Sequence, residues 1–197
     1  PRKRRERPDC ATWENGKKII RCIGEPRNKL AAIIMAKTGA RITEVLTLEM
    51  DDLMLEDGFI RFRNRKGGKN TVNPIDDETI RSIQRYTFVR DDSTDKDYLF
   101  LSIRGDRVGR EQIRKAVRQG AVDAGIMDEG EKRFHKKFTP HTYRTVFTTL
   151  MRNQGMDDHL VRYLRGDADR EEMDLYTRID KNQLRRKYLE KIKTLNL

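Results

Sequence analysis

The stretch Phe138-Thr139-Pro140-His141-Thr142-Tyr143-Arg144 holds the first residues in this 197-residue chain whose types and spacing suit chemistry. Thr139 fits the N-cap of a helix and Pro140 its first turn, which puts His141 and Arg144 three apart on one face. The free N–H groups and positive dipole end of a helix start favour an anion, so a His and an Arg beside them form a phosphate cradle. A second candidate is Thr38-Gly39-Ala40-Arg41-Ile42-Thr43-Glu44. There Arg41 stands at a helix entry after a glycine break, and Glu44 follows three residues on to steady its guanidinium. Such a planar fork suits the charge gathered on a pentacoordinate phosphorus centre. Taken alone, each stretch is more commonly a surface His or ion pair at a helix start.

Two further stretches add a proton donor and a nucleophile. Arg65-Lys66-Gly67-Gly68-Lys69 reads as the tip of a β-hairpin. A lysine there can enter a DNA minor groove or lie over a cleft as a mobile proton donor, although charged turns more often serve solubility. Asp174-Leu175-Tyr176-Thr177-Arg178 places a tyrosine in a polar stretch near the end of the chain. Free tyrosine titrates near pH ~10, so Tyr176 needs neighbouring cations or a proton acceptor before it can attack anything at neutral pH.

The elements expected to position these groups are mostly helical. Trp13 to Cys22 is amphipathic, and Pro26 opens a helix whose run Leu30 to Ala36 is apolar on all sides and therefore buried, ending at Gly39. A short helix carries Ile42, Val45 and Leu46, with Met50 near its inner face. The period then changes to alternation: Leu53–Leu55, the turn Glu56-Asp57-Gly58, Phe59 to Arg63 and Thr71 to Ile75 form three short strands. Helical spacing returns at Ile80, Ile83 and Tyr86, and again at about 109–124, 140–153, 157–164 and from 181. The fold class expected is α+β, mainly helical with one small three-stranded antiparallel sheet.

Composition narrows the partner. A net charge of +11 and a pI near 9.8 point to a polyanion, nucleic acid before membrane. The longest apolar run is too short to span a bilayer, and no apolar segment of signal-peptide type follows the basic start. Cys10 and Cys22 have neither CxxC spacing nor a nearby His pair, so no disulfide framework or zinc site is expected, and a reducing, cytoplasmic compartment is. Residues 1–7 hold +4 of the charge and residues 181–197 hold +5, leaving only +2 for the body. Solvated tails account for such charge as readily as DNA binding does.

Together the four stretches resemble the catalytic domain of the tyrosine recombinases, which include phage and plasmid integrases and Xer-type resolvases. The resemblance runs from about Trp13 to Tyr188 and rests on TGARITEVLTL, RKGGK, HTYR and LYTRI, in that order. Lys66 lies 25 residues after Arg41, and Tyr176 lies 32 after Arg144, which are fitting intervals. The resemblance implies that Arg41 and Arg144 clamp the scissile phosphate, Lys66 protonates the leaving 5′ oxygen, and His141 assists proton transfer. Tyr176 would attack phosphorus to give a covalent 3′-phosphotyrosine, with Glu44 as support. No metal or other cofactor is implied, and the partner is double-stranded DNA with specific sites. Arg65, Lys69 and the arm residues Arg2, Lys3, Arg4 and Arg5 are then DNA-contact candidates.

The sequence departs from the family pattern at several points. Nine residues before the tyrosine the family usually has His or Trp, often in a Gly-His pair, whereas this chain has Gly166-Asp167. A carboxylate cannot donate to a phosphate and would repel it, so either a neighbour takes over, Arg165 first among them, or the site is weakened. Thr145 stands where Xer-type members often have His, a minor change. Residues 1–10 read as a basic arm or linker and 11–197 as the catalytic domain, with no core-binding domain ahead of it. The resemblance also implies self-association on DNA as a tetrameric synapse. The apolar stripe Leu184, Tyr188, Leu189, Ile192, Leu195 on the last helix fits docking on a neighbouring protomer or on its own domain. Two alternatives stay open: a type IB topoisomerase, and a non-catalytic DNA-binding protein on the same scaffold.

Overall fold

The helix Pro26–Thr38 (α2) is apolar on every side from Leu30 to Ala36, and the rest of the fold is arranged to bury that run. The computed structural model describes residues 10–65, 69–90, 96–167 and 180–197. Around α2 pack Trp13–Cys22 (α1), Ile42–Leu46 (α3), Asp77–Val89 (α4), Arg110–Asp123 (α5) and Pro140–Asn153 (α6). Ile33, Ile34 and Met35 of α2 are nearly inaccessible, and burying a side chain of that size stabilises by about 1.5–3 kcal/mol. Asp158–Arg165 (α7) and Lys181–Leu189 (α8) complete the helices among the described residues, with short 3-10 turns at Met50–Asp52 and Phe134–Lys136. The expected α+β class and helix placement are borne out, as is Gly39 as the cap of α2.

The core has two parts joined by α6. Tyr143 and Val146 face the large cluster around α2, while Phe147 and Met151 face a smaller one with Leu160, Val161 and Leu164 of α7 and Leu184 and Tyr188 of α8. Of the two placements the sequence leaves open for the last helix, the structure has α8 on its own domain. The Tyr188 hydroxyl donates to the Lys37 carbonyl at 3.0 Å, and the following segment runs back so that Leu195 enters the main core. At the other end of the described residues, Cys10 packs into that core.

The sheet is antiparallel in the order β1 (Leu53–Met54), β2 (Phe59–Arg65), β3 (Lys69–Pro74). Phe62 pairs with Thr71 and Arg65 with Lys69, so β2 has one residue more than β3 between these pairs. That β-bulge contains Asn64 at φ +49°, the left-handed region Asn tolerates better than most residues. Strict alternation from the buried Phe62 would turn Arg65 outward, but the extra residue reverses the parity and Arg65 turns inward. Arg65 is therefore corrected as a DNA-contact candidate: its side chain has no accessible surface.

Candidate active site

Three chain breaks bring the site residues together. The first is the break between α2 and α3, where Gly39 (φ +66°) turns the chain so closely against Phe147 that a Cβ there would stand 2.4 Å from the ring. This frees the Gly39 carbonyl and sets Arg41 as the residue before α3. Glu44 then binds Arg41 twice, accepting from its backbone N–H and from Nη1, both at 2.8 Å. The second is the start of α6, where Pro140 opens the helix and the Thr142 hydroxyl accepts from the Thr139 N–H at 2.9 Å. The third is the end of α7, where Gly166 (φ +68°) caps the helix and delivers Asp167.

Arg144 projects from the first turn of α6 into the space between the other two breaks. Its Nη1 donates to the carbonyls of Gly39 at 2.7 Å and Arg165 at 2.8 Å, so one guanidinium ties the cap of α2 to the end of α7. Its Nη2 lies 2.5 Å from Asp167 Oδ1. Arg41 Nη2 reaches the same oxygen at 2.7 Å, and Arg165 Nη2 stands 3.0 Å from Asp167 Oδ2. Two arginines from distant parts of the chain thus converge on one anionic oxygen, with a third on its twin. Although Arg144 Nη2 is this close to Asp167, neither of its N–H bonds is directed into a hydrogen bond, and the atom is buried.

Beneath this layer lies Arg65. Its Nη2 donates to Glu44 Oε2 and to the Arg165 carbonyl, both at 2.9 Å. Its Nη1 donates to Thr71 Oγ1 at 2.6 Å and the Leu164 carbonyl at 2.8 Å, and its plane covers the Phe62 ring. Among the described residues, four guanidinium groups face two carboxylates, an excess of two positive charges in a mostly buried cluster.

The titration of these groups reflects that crowding. Burial, reinforced by the Arg165 charge, lowers Arg144 to about 10, which leaves it cationic at neutral pH. Burial also works against Arg41, but Glu44 and Asp167 outweigh it and hold Arg41 above its ordinary value. Burial alone would raise Glu44 and Asp167; Arg65 and Arg41 for the former, and Arg144, Arg165 and Arg41 for the latter, bring both below the usual carboxylate range.

A cleft of about 530 Å³ opens over Arg41 and Arg144. His141 lies exposed on its wall, three residues from Arg144 as the sequence spacing implies. The structure therefore gathers Arg41, Glu44, His141, Arg144, Arg165 and Asp167 at one place. Lys66, Tyr176, Arg2, Lys3, Arg4 and Arg5 lie outside the described residues, as does the side chain of Lys69. Sequence reasoning missed Arg114, Lys115 and Arg118 of α5 and Lys137, which line the same cleft. Their signal was the i, i+4 spacing of Arg114 and Arg118 on one helix face.

A family model described as the phage integrase family matches residues 16–183. The chain belongs to that family. Tyrosine recombinase XerA of Pyrococcus furiosus is 30% identical over 183 residues, which cover 90% of this chain and 60% of that protein. The crystal structure of XerH site-specific recombinase bound to its difH substrate superposes with a TM-score of 0.69 at 26% identity, over 92% of this chain and 54% of that one. The integrase of mycobacterium phage Brujita shares the fold at a TM-score of 0.73 and 16% identity, over 98% of this chain and 61% of that one. The chain thus spans little more than half the length of these relatives. As a member of that family, it shares the fold of these structural neighbours, and its own fold is mainly helical with one small sheet.

Proposed function

We propose that this domain cuts and rejoins double-stranded DNA at specific sites through a covalent 3′-phosphotyrosine on Tyr176. The observation that carries the reading is the convergence of Arg41 and Arg144 on a single anionic oxygen at 2.7 and 2.5 Å. In this reading a phosphoryl oxygen of the scissile phosphate takes the place of Asp167 Oδ1. Arg165, half-buried beside it, supplies a donor where the family usually has His or Trp. The exchange replaces one carboxylate charge with one phosphodiester charge, so it leaves the charge balance of the cluster unchanged.

The chemistry follows from that placement. The Tyr176 oxygen forms a bond to phosphorus as the bond from phosphorus to the 5′ oxygen breaks, and Lys66 delivers a proton to that oxygen. His141, on the cleft wall, takes part in moving the proton from the tyrosine. Adding a phenolate to a phosphodiester anion doubles the negative charge at phosphorus, and fixed guanidinium groups favour that state over the ground state. The 5′ hydroxyl of a second strand reverses the step. The cations of α5 and Lys137 lie along the path of the flanking backbone, where each phosphate contact adds affinity without sequence preference. The printed description of XerH, a site-specific recombinase bound to its difH substrate, supports specific recombination sites, and the proposal includes assembly as a tetramer on DNA in the cytoplasm.

The test uses the full chain with nicked duplexes whose centre is randomised, so that cleavage beside the nick releases a short fragment and traps the adduct. An SDS-stable protein–DNA band whose tryptic peptide carries the nucleotide on Tyr176, absent from Tyr176→Phe, is the expected result. A chain that retains duplexes but yields no such band is a DNA-binding module, and the reading fails.

A further inference from the structure

We propose that Arg65 is a positioning residue for this reaction: its buried guanidinium sets the spacing between the two arginines that hold the phosphate. The proposal rests on the phosphate-site reading above. Arg65 itself touches nothing in the cleft, because its side chain has no accessible surface. It is instead one bond removed from each of the two arginines. Glu44 Oε2 accepts from Arg65 Nη2 at 2.9 Å and from the Arg41 N–H at 2.8 Å, while the same carboxylate holds Arg41 Nη1. The Arg165 carbonyl accepts from Arg65 Nη2 at 2.9 Å and from Arg144 Nη1 at 2.8 Å. A shift of Arg65 therefore moves the partners of Arg41 and Arg144 together.

The surroundings leave Arg65 little freedom. Phe62 lies under its plane at 4.9 Å and Thr71 holds Nη1 at 2.6 Å. Above it, a Cβ on Gly166 would stand 2.4 Å from Nε, so the residue before Asp167 has no room for a side chain. The bulge at Asn64 exists at this strand end and turns the guanidinium inward; without it Arg65 would face water. Arg65 is also the last residue of β2, immediately before Lys66 in sequence. One planar group thus references the strand end, the Arg41 carboxylate and the carbonyl under Arg144 to one another. A lysine offers a single ammonium with no planar fork and cannot reproduce that pattern.

The experiment is single-turnover cleavage of a nicked duplex selected by the wild-type protein, with duplex affinity measured separately and both read well below the melting temperature. Arg65→Lys is expected to cleave roughly 10- to 100-fold more slowly at saturating DNA, as small misplacements of reacting groups do, with duplex affinity within about twofold of wild type. Thr71→Val removes one of Arg65's acceptors and should slow cleavage in the same way by a smaller factor, with Thr71→Ser restoring it. This pair decides the matter should Arg65→Lys fail to fold. A purely structural Arg65 predicts a lower melting temperature with the folded fraction cleaving at the wild-type rate, and that result overturns the proposal while the phosphate-site reading stands. Failure of the wild-type chain to form any Tyr176 adduct overturns both, so the two failures are distinguishable.

Discussion

Two buried charged clusters lie at the C-terminal end of α2, and they are built on opposite principles. In the last turn of α2, Lys37 is wholly inaccessible and bonds Asp76 at 2.5 Å, Glu78 at 2.8 Å and the Lys193 carbonyl at 2.9 Å. Glu78 in turn accepts from the backbone N–H groups of Leu195 and Leu197, so the C-terminal segment is fastened by the same carboxylate. There one cation meets two carboxylates and a carbonyl, and Lys37 Nζ uses its full set of three donors. At the site, among the described residues, four guanidinium groups meet two carboxylates, and Arg65 Nε, Arg144 Nη2 and Arg165 Nε are buried without hydrogen bonds. A closed cluster of acceptors around one cation serves the fold. A cation excess with undirected donors is stable only as far as an anion is available to complete it.

The largest expected effects come from removing the central cation of each cluster. Lys37→Met leaves Asp76 and Glu78 facing each other without a cation, a change that costs about 3–5 kcal/mol. Thermal denaturation should show a melting point lower by about 10 °C, with the folded protein still cleaving DNA. Arg144→Gln should do the reverse: cleavage falls about 10²- to 10³-fold, as for loss of one donor to developing charge, while the melting point drops by much less. If both substitutions lowered stability equally and neither altered cleavage by the folded protein, the two clusters would be of one kind.

A smaller effect sharpens the same contrast without damaging either network. Asp167→Asn removes the carboxylate that stands in for the anion, so added inorganic phosphate should protect this variant against heat more than it protects the wild type. A difference of a few degrees at millimolar phosphate is expected, since a ligand stabilises in proportion to the logarithm of one plus its concentration over Kd. The phosphate dependence of Lys37→Met should match that of the wild type. Equal protection of Asp167→Asn and wild type would mean that phosphate binds elsewhere.

Much of this was legible in the sequence, and the exceptions have a common cause. Periodicity placed the helices because α2's apolar run and the amphipathic stripes of α1 and α4 are local properties. Arg41, Glu44, His141 and Arg144 were legible because each pair is three apart at a helix start, where spacing alone decides the shared face. Arg65 was misread as a surface residue because its burial depends on one extra residue in β2, and Asn64 is a weak sign of a bulge. The Lys37 cluster gave no sign at all, since its partners lie 39 and 156 residues away. Asp167 was read as a repulsive departure. Only the fold shows that the charge it meets is three arginines, which turns repulsion into occupancy.

The smallest effect lies in acid, where the two clusters titrate with the same sign but different consequence. Burial alone would raise Glu78, yet the Leu195 N–H and Lys37 hold it below its ordinary value; Asp167 is lowered by Arg144, Arg165 and Arg41. A carboxyl whose folded-state pKa is lowered contributes stability above its unfolded value, about pH 4, and loses it as pH falls through the folded value. The melting-point gap between wild type and Glu78→Gln should therefore be present at pH 6 and shrink below pH 4. The gap between wild type and Asp167→Asn should follow the same course at smaller size, because Asp167 is 27% exposed and water screens its pairs. Saturating phosphate should close that second gap at every pH, since another anion can complete the arginine cluster, and should leave the first untouched, since Lys37 has no vacancy to fill. An Asp167 gap as large as that of Glu78 and indifferent to phosphate would make the arginine cluster a closed structural network like the other, and the contrast would collapse.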